Sequence, residues 1–319
     1  MAMVDTGDIR LHVQRLGPRD GRPATATVVL LHGLLTDSLA SYYFTVAPGF
    51  AAAGADVVMY DHRGHGRSGR PDTGYTLDAF VADLEALLDR LELTGPVHLV
   101  GNSFGGTIAF GYALRRPDRV ASITAIESEP ATEAWARKLG RLLGRVRHEM
   151  TANEDGALNW ISTNQGAHTA RLAKSAGRLA RTTTIADDIP ASAVLTEADI
   201  RSVRCPVLAL YGSESDLAEQ ALWLESLLPV SRTVVLPGHE HSVLVEAPQR
   251  VGELVLDWVR AHGPEPLSAY GGQPQAEYGP VPTEREPAGG ERAVRERAVR
   301  EPVAPAIHHP APLVEVDAR

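Results

Sequence analysis

The stretch that most constrains this chain is Val97-His98-Leu99-Val100 running into Gly101-Asn102-Ser103-Phe104-Gly105-Gly106. An apolar run of strand length stops at a Gly-x-Ser-x-Gly core, and a small-residue helical pattern from Thr107 to Leu114 begins at once. Strand, sharp turn and helix, with a serine at the turn, lifts a hydroxyl above the end of a sheet. The backbone there is too tight for bulk beside it, which is why glycines flank the serine. The bland alternative is a glycine-rich turn with an idle serine. The remainder of the chain has to decide between the two.

Other apolar runs repeat the strand pattern. Thr27 to Leu31, Asp56 to Tyr60, Val120 to Ile126 and Pro206 to Tyr211 are near-continuous, as expected of strands covered on both faces. Ile9 to Leu16 alternates like an edge strand, and Arg232 to Leu236 is shorter. Helical patterns lie between them: Ser41 to Ala53, a stripe from Leu77 to Leu91 that Thr76 would cap, Leu217 to Leu228, and Gln249 to Ala261. Alternating strands and helices predict a mostly parallel sheet with helices on both faces.

Residues 131–200 break the alternation, with helical stretches only (Trp135 to Val146, Ala157 to Ile161, Thr169 to Leu179). They read as a helical lid over the carboxyl ends of the strands, where such sheets bind ligands. The expected organisation is a core of residues 1–130 and 201–262, a lid of 131–200, and a tail of 263–319 rich in Pro, Gly, Glu and Arg. In that tail Glu291 to Arg295 repeats as Glu296 to Arg300, and the apolar content is too low to offset chain ordering, so disorder is expected.

A hydrophobic fraction of 44% over 319 residues supports a large core, and a formal charge of −9 argues against a nucleic-acid-binding body. Cys205 is the only cysteine, which excludes an intrachain disulfide. No run approaches membrane-spanning length, and the first residues carry acids without a signal-peptide core, so a cytoplasmic protein without membrane contact is the expectation. His62 and His65 have no companion ligands at zinc spacing, and the glycines near Ser103 lack the Lys-Ser/Thr of a phosphate loop. Neither a metal nor a cofactor is expected.

A serine hydroxyl needs a base, and the chain offers Pro237-Gly238-His239-Glu240-His241-Ser242-Val243-Leu244-Val245-Glu246-Ala247-Pro248. With His32-Gly33, the loop Asp61-His62-Arg63-Gly64-His65-Gly66-Arg67-Ser68 and the serine turn in the same order, residues 7–262 resemble the α/β-hydrolase fold family. That resemblance implies an eight-stranded, mostly parallel sheet. It also implies Ser103 as nucleophile, and His241 as base because that residue directly precedes the Ser-Val-Leu-x-Glu-x-Pro run. His239 then becomes a loop neighbour. The backbone N–H groups of Phe104 and Leu34 would form the oxyanion hole, each worth about 3–4 kcal/mol to the transition state. The loop around Arg63 would be a buried polar brace.

The third member of the set departs from the family pattern. Its usual place, three residues beyond Gly212, holds Ser215, and Asp216 comes one later. Asp216 is favoured, since a one-residue slip in a loop costs little. Glu127, at the end of the preceding strand, is the rival. The resemblance implies hydrolysis of an apolar, small-molecule ester or thioester through an acyl-enzyme. The alternatives are carbon–carbon hydrolysis of ring-cleavage diketones, or a non-catalytic binder on the same fold. Nine cations between Arg137 and Arg181 raise the further option of an acyl-carrier-linked substrate, set against solvated helix faces.

Overall fold

A computed structural model describes residues 2–18, 21 and 23–263; the expected tail and its repeat lie outside the described residues. Eight strands form one sheet: β1 (Ala2–Asp5), β2 (Arg10–Leu16), β3 (Ala26–Leu31), β4 (Ala55–Tyr60), β5 (Val97–Asn102), β6 (Val120–Ile126), β7 (Val207–Gly212) and β8 (Ser231–Leu236). Their spatial order is β1-β2-β4-β3-β5-β6-β7-β8. Only the β1–β2 and β2–β4 pairings are antiparallel. β1 had no signature in the hydropathy pattern because three of its four residues are exposed and it has one neighbour.

The helices are α1 (Ala40–Tyr43), α2 (Ala47–Ala52), α3 (Leu77–Arg90), α4 (Phe104–Arg115), α5 (Glu133–Ala152), α6 (Glu154–Gln165), α7 (Ala167–Thr182), α8 (Ile185–Asp188), α9 (Glu197–Arg201), α10 (Ala221–Leu227), α11 (Val243–Glu246) and α12 (Pro248–Ala261). Two expected helices are shorter than their patterns. Ser41 to Ala53 is broken into α1 and α2, with Pro48 in the first turn of α2, where its missing N–H costs nothing. Leu217 to Leu228 begins as a 3₁₀ turn and becomes α-helical only at Ala221. α3 forms as its stripe predicts, with the Thr76 side chain accepting from Ala79 N–H.

Strand periodicity divides the core. Val29 and Leu31 face the side covered by α3 and α4, while Val28 and Leu30 face the side covered by α2 and α12. Both faces are dry, so β4 and β7 are buried at every position. Helices α5–α9 occupy the connection between β6 and β7. Trp135, Leu143 and Leu179 from this connection belong to the same buried cluster as α3 and α4.

Buried histidines give the fold a pH dependence. His98 on β5 meets Ser122 Oγ on β6 at 2.8 Å, and burial, helped by nearby His262, lowers its pKa to about 4. The unfolded imidazole titrates near about 6.5. Between those values the unfolded chain binds the proton and the folded one does not. Stability is therefore complete above about pH 6.5 and falls towards pH 4, by up to about 1.4 kcal/mol per pH unit from this group. Urea unfolding at a series of pH values should show that slope, and His98→Gln should reduce it. An equal slope in both proteins would refute the assignment.

Candidate active site

The turn after β5 is built as its glycines require. Ser103 has φ 50° and ψ −118°, a strained conformation for a non-glycine residue. Its N–H donates to Ile126 O at 2.8 Å and its carbonyl accepts from Ser128 Oγ at 2.6 Å, so β6 holds the strain. A Cβ on Gly105 would lie 2.0 Å from Leu31 O, and one on Gly101 2.2 Å from Gly106 N. The helix that follows thus packs directly on the roots of β3 and β5, which only glycine permits.

His241 reaches the same point from the loop after β8. Its Nε2 lies 3.2 Å from Ser103 Oγ and its Nδ1 3.2 Å from Glu127 Oε2. A carboxylate only accepts, so Nδ1 carries the proton and the Nε2 lone pair faces the serine. Gly212 allows this approach, since a Cβ there would lie 2.1 Å from His239 O. Glu214 N–H donates to that same carbonyl at 2.9 Å and fastens the two loops together. His239 itself pairs with Glu246, 3.0 Å away, and stays outside the Ser103 contact.

The preference for Asp216 is corrected by the geometry. Asp216 is exposed, and its carboxylate makes no hydrogen bond to His241 among the described residues. Glu127 is fully buried, with φ 47°. Its Oε1 accepts from Gly212 N–H, and its Oε2 accepts from Ser215 Oγ at 2.5 Å. The cause is sheet register. Ile126 pairs with Leu210, so the residue after β6 emerges beside the end of β7 and its side chain enters the space below His241. Ser215, in the place where the pattern expects an acid, is a donor to this carboxylate instead.

The two expected oxyanion donors are both unspent. Phe104 opens α4, so its N–H has no intrahelical partner, and Leu34 N–H donates to nothing among the described residues. The Phe104 ring stacks on Trp135 of α5, with centroids 6.3 Å apart and planes 10° apart. Trp135 is buried and seats the inserted helices on the core, whereas Trp160 is 54% exposed.

The loop after β4 is a brace. Arg63 is buried and its guanidinium meets Asp83 through Nε and Nη2, both at 2.7 Å, with Asp8 at 2.9 Å. Beside it the His32, His62 and His65 rings are packed together, with His32 and His62 centroids 4.0 Å apart. Burial holds all three below the ordinary imidazole pKa. Among the described residues no helix is long and apolar enough to cross a membrane, and no group of three or more His, Cys, Asp or Glu side chains is arranged to hold a metal ion.

Comparison with known proteins agrees with this architecture. Residues 26–169 match the family described as alpha/beta hydrolase fold. The non-heme chloroperoxidase of Streptomyces lividans is 36% identical over 133 residues, covering 41% of this chain and 45% of that protein. Lipase LipV of Mycobacterium tuberculosis is 39% identical over 126 residues, 39% of this chain and 44% of that protein. The chain thus spans less than half the length of these relatives. Carboxylesterase CesB from Bacillus subtilis superposes with a TM-score of 0.64 at 21% identity, over 82% of this chain and 91% of that one. With its sheet order and the turn at Ser103, the chain has the α/β-hydrolase fold, and its residues 26–169 are similar to that family.

Proposed function

We propose that this protein is a serine hydrolase that cleaves a small-molecule carboxylic ester or thioester. One observation carries the reading: His241 stands between Ser103 Oγ and the buried Glu127 carboxylate, 3.2 Å from each. His241 takes the serine proton as Ser103 attacks the carbonyl carbon. The N–H groups of Phe104 and Leu34 hold the tetrahedral oxyanion, and Glu127 stabilises the imidazolium. The protonated His241 then gives its proton to the departing alcohol or thiol. Water, deprotonated by His241, attacks the acyl-enzyme and releases the acid.

Helices α5–α9 serve in this reading as a cap beside the site, with Trp135 resting on Phe104. An acyl-carrier partner draws little support from the cap's charges. Lys138, Arg137, Arg147 and Arg181 are already paired with Glu129, Glu133, Asp187 and Glu154. The esterase and lipase names among the relatives favour an apolar ester over a diketone.

A fluorophosphonate probe tests the reading. It should label the wild type at Ser103 and leave Ser103→Ala unlabelled; an unlabelled wild type would favour a binder. A panel of p-nitrophenyl esters, acyl thioesters and a vinylogous diketone then separates the activities. Turnover of the diketone alone would overturn the ester assignment.

A further inference from the structure

Three successive N–H groups follow β3, and two of them are tied down. Gly33 N–H donates to Asp37 Oδ2 at 2.6 Å, and Leu35 N–H donates to His65 Nε2 at 2.9 Å. Leu34 N–H, between them, donates to nothing among the described residues. Leu35 has φ 63°, a left-handed conformation that leucine rarely adopts, so an external contact has to hold it. His65 is suited to that task. It is 2% exposed, and its Nδ1 donates to Arg63 O at 2.8 Å, which leaves Nε2 as an acceptor. The root of the loop touches the nucleophile turn, since a Cβ on Gly105 would also lie 2.8 Å from His32 O.

We propose that His65 is a positioning residue for the oxyanion hole: by accepting the Leu35 N–H it fixes the strained backbone that presents Leu34 N–H to the reacting carbonyl. This inference rests on the serine-hydrolase reading above. Asp37 provides the matching tie on the other side, and its carboxylate also accepts from Ser38 N–H, Ser41 Oγ and, at 3.4 Å, the Asn102 amide next to the nucleophile. The charged and titratable groups around His65 are His32, His62, Asp37, Asp61, Arg63 and Arg70. The tie needs a neutral ring, because a protonated Nε2 would point a donor at a donor. Burial keeps the ring neutral through the neutral pH range.

The test compares wild type, His65→Leu and His65→Gln in the full chain, measuring kcat, KM, binding of a trifluoromethyl ketone and binding of the product acid. The ketone forms a tetrahedral adduct with an oxyanion; the acid does not. His65→Leu should lower kcat and ketone affinity by about 10- to 100-fold, with KM and product affinity changed by less than about twofold. Glutamine can accept from Leu35 N–H through its carbonyl and should recover most of the loss. Unchanged ketone affinity in folded His65→Leu, an equal loss for ketone and acid, or no rescue by glutamine would each overturn the proposal. If the leucine variant does not fold, ¹⁵N spectra of the wild type, assigned through the glutamine variant, decide: an unprotonated Nε2 supports the tie and an Nε2–H tautomer refutes it. Wild type that escapes the phosphonate probe fails the parent reading. Labelled wild type with intact ketone affinity in the leucine variant fails only the role of His65.

Discussion

Replacing Ser103 by alanine should lower kcat towards p-nitrophenyl esters by about 10⁶-fold while leaving the fold intact. The size follows from what is lost. Without Oγ there is no acyl-enzyme, His241 Nε2 loses the hydroxyl 3.2 Å away, and only the backbone donors continue to act. Those donors still favour a tetrahedral intermediate, so a residual rate of about 10³-fold over solution is expected from water attack. Relief of strain should accompany the loss little if at all, because alanine at position 103 must still adopt φ 50° to keep the Ile126 and Ser128 hydrogen bonds. Steady-state kinetics and thermal melts of the two proteins check both parts. A variant retaining more than about a thousandth of wild-type kcat would remove Ser103 from the role of nucleophile.

The second large effect separates the two candidate acids. Glu127→Gln should cost about 10⁴-fold in kcat, and Asp216→Asn less than about threefold. The Glu127 carboxylate accepts from Gly212 N–H and Ser215 O–H, and His241 Nδ1 lies 3.2 Å from its Oε2. Only an acceptor on both oxygens satisfies all of them. Glutamine must turn its NH₂ towards one donor, and if that donor is His241 the ring moves its proton to Nε2 and can no longer accept from Ser103. Asp216 is exposed and has no hydrogen bond to His241, so its amide changes only local charge. Comparable losses in both variants, with both folded by circular dichroism, would contradict the geometry.

Part of the candidate site is legible in the sequence. The serine turn announces itself because its requirements are local. A strand must end, a helix must start, and glycines must stand where α4 meets β3 and β5, all within ten residues. His241 was reached through the family resemblance, which places the base just before the Ser-Val-Leu-x-Glu-x-Pro run. The acid was not. Glu127 lies 88 positions before Ser215, and nothing in its neighbours Ser128 and Glu129 marks it as the buried partner. The tie from His65 to Leu35 was equally invisible, since one end of it is a backbone N–H with no residue signature.

The sequence by itself determined the alternation of strands and helices apart from β1, the strand–turn–helix at Ser103, and the purely helical segment between β6 and β7. These depend on periodicity, capping and the steric demands of glycine, which act over a few neighbours. Only the tertiary structure decided which carboxylate meets His241, which N–H groups stay free for an oxyanion, and how Trp135 seats the inserted helices on Phe104. Those choices depend on the register of β6 against β7 and on distances between loops remote in sequence. A loop carboxylate and a strand-end carboxylate look alike in a sequence, and only packing makes one of them dry and places it 3.2 Å from an imidazole.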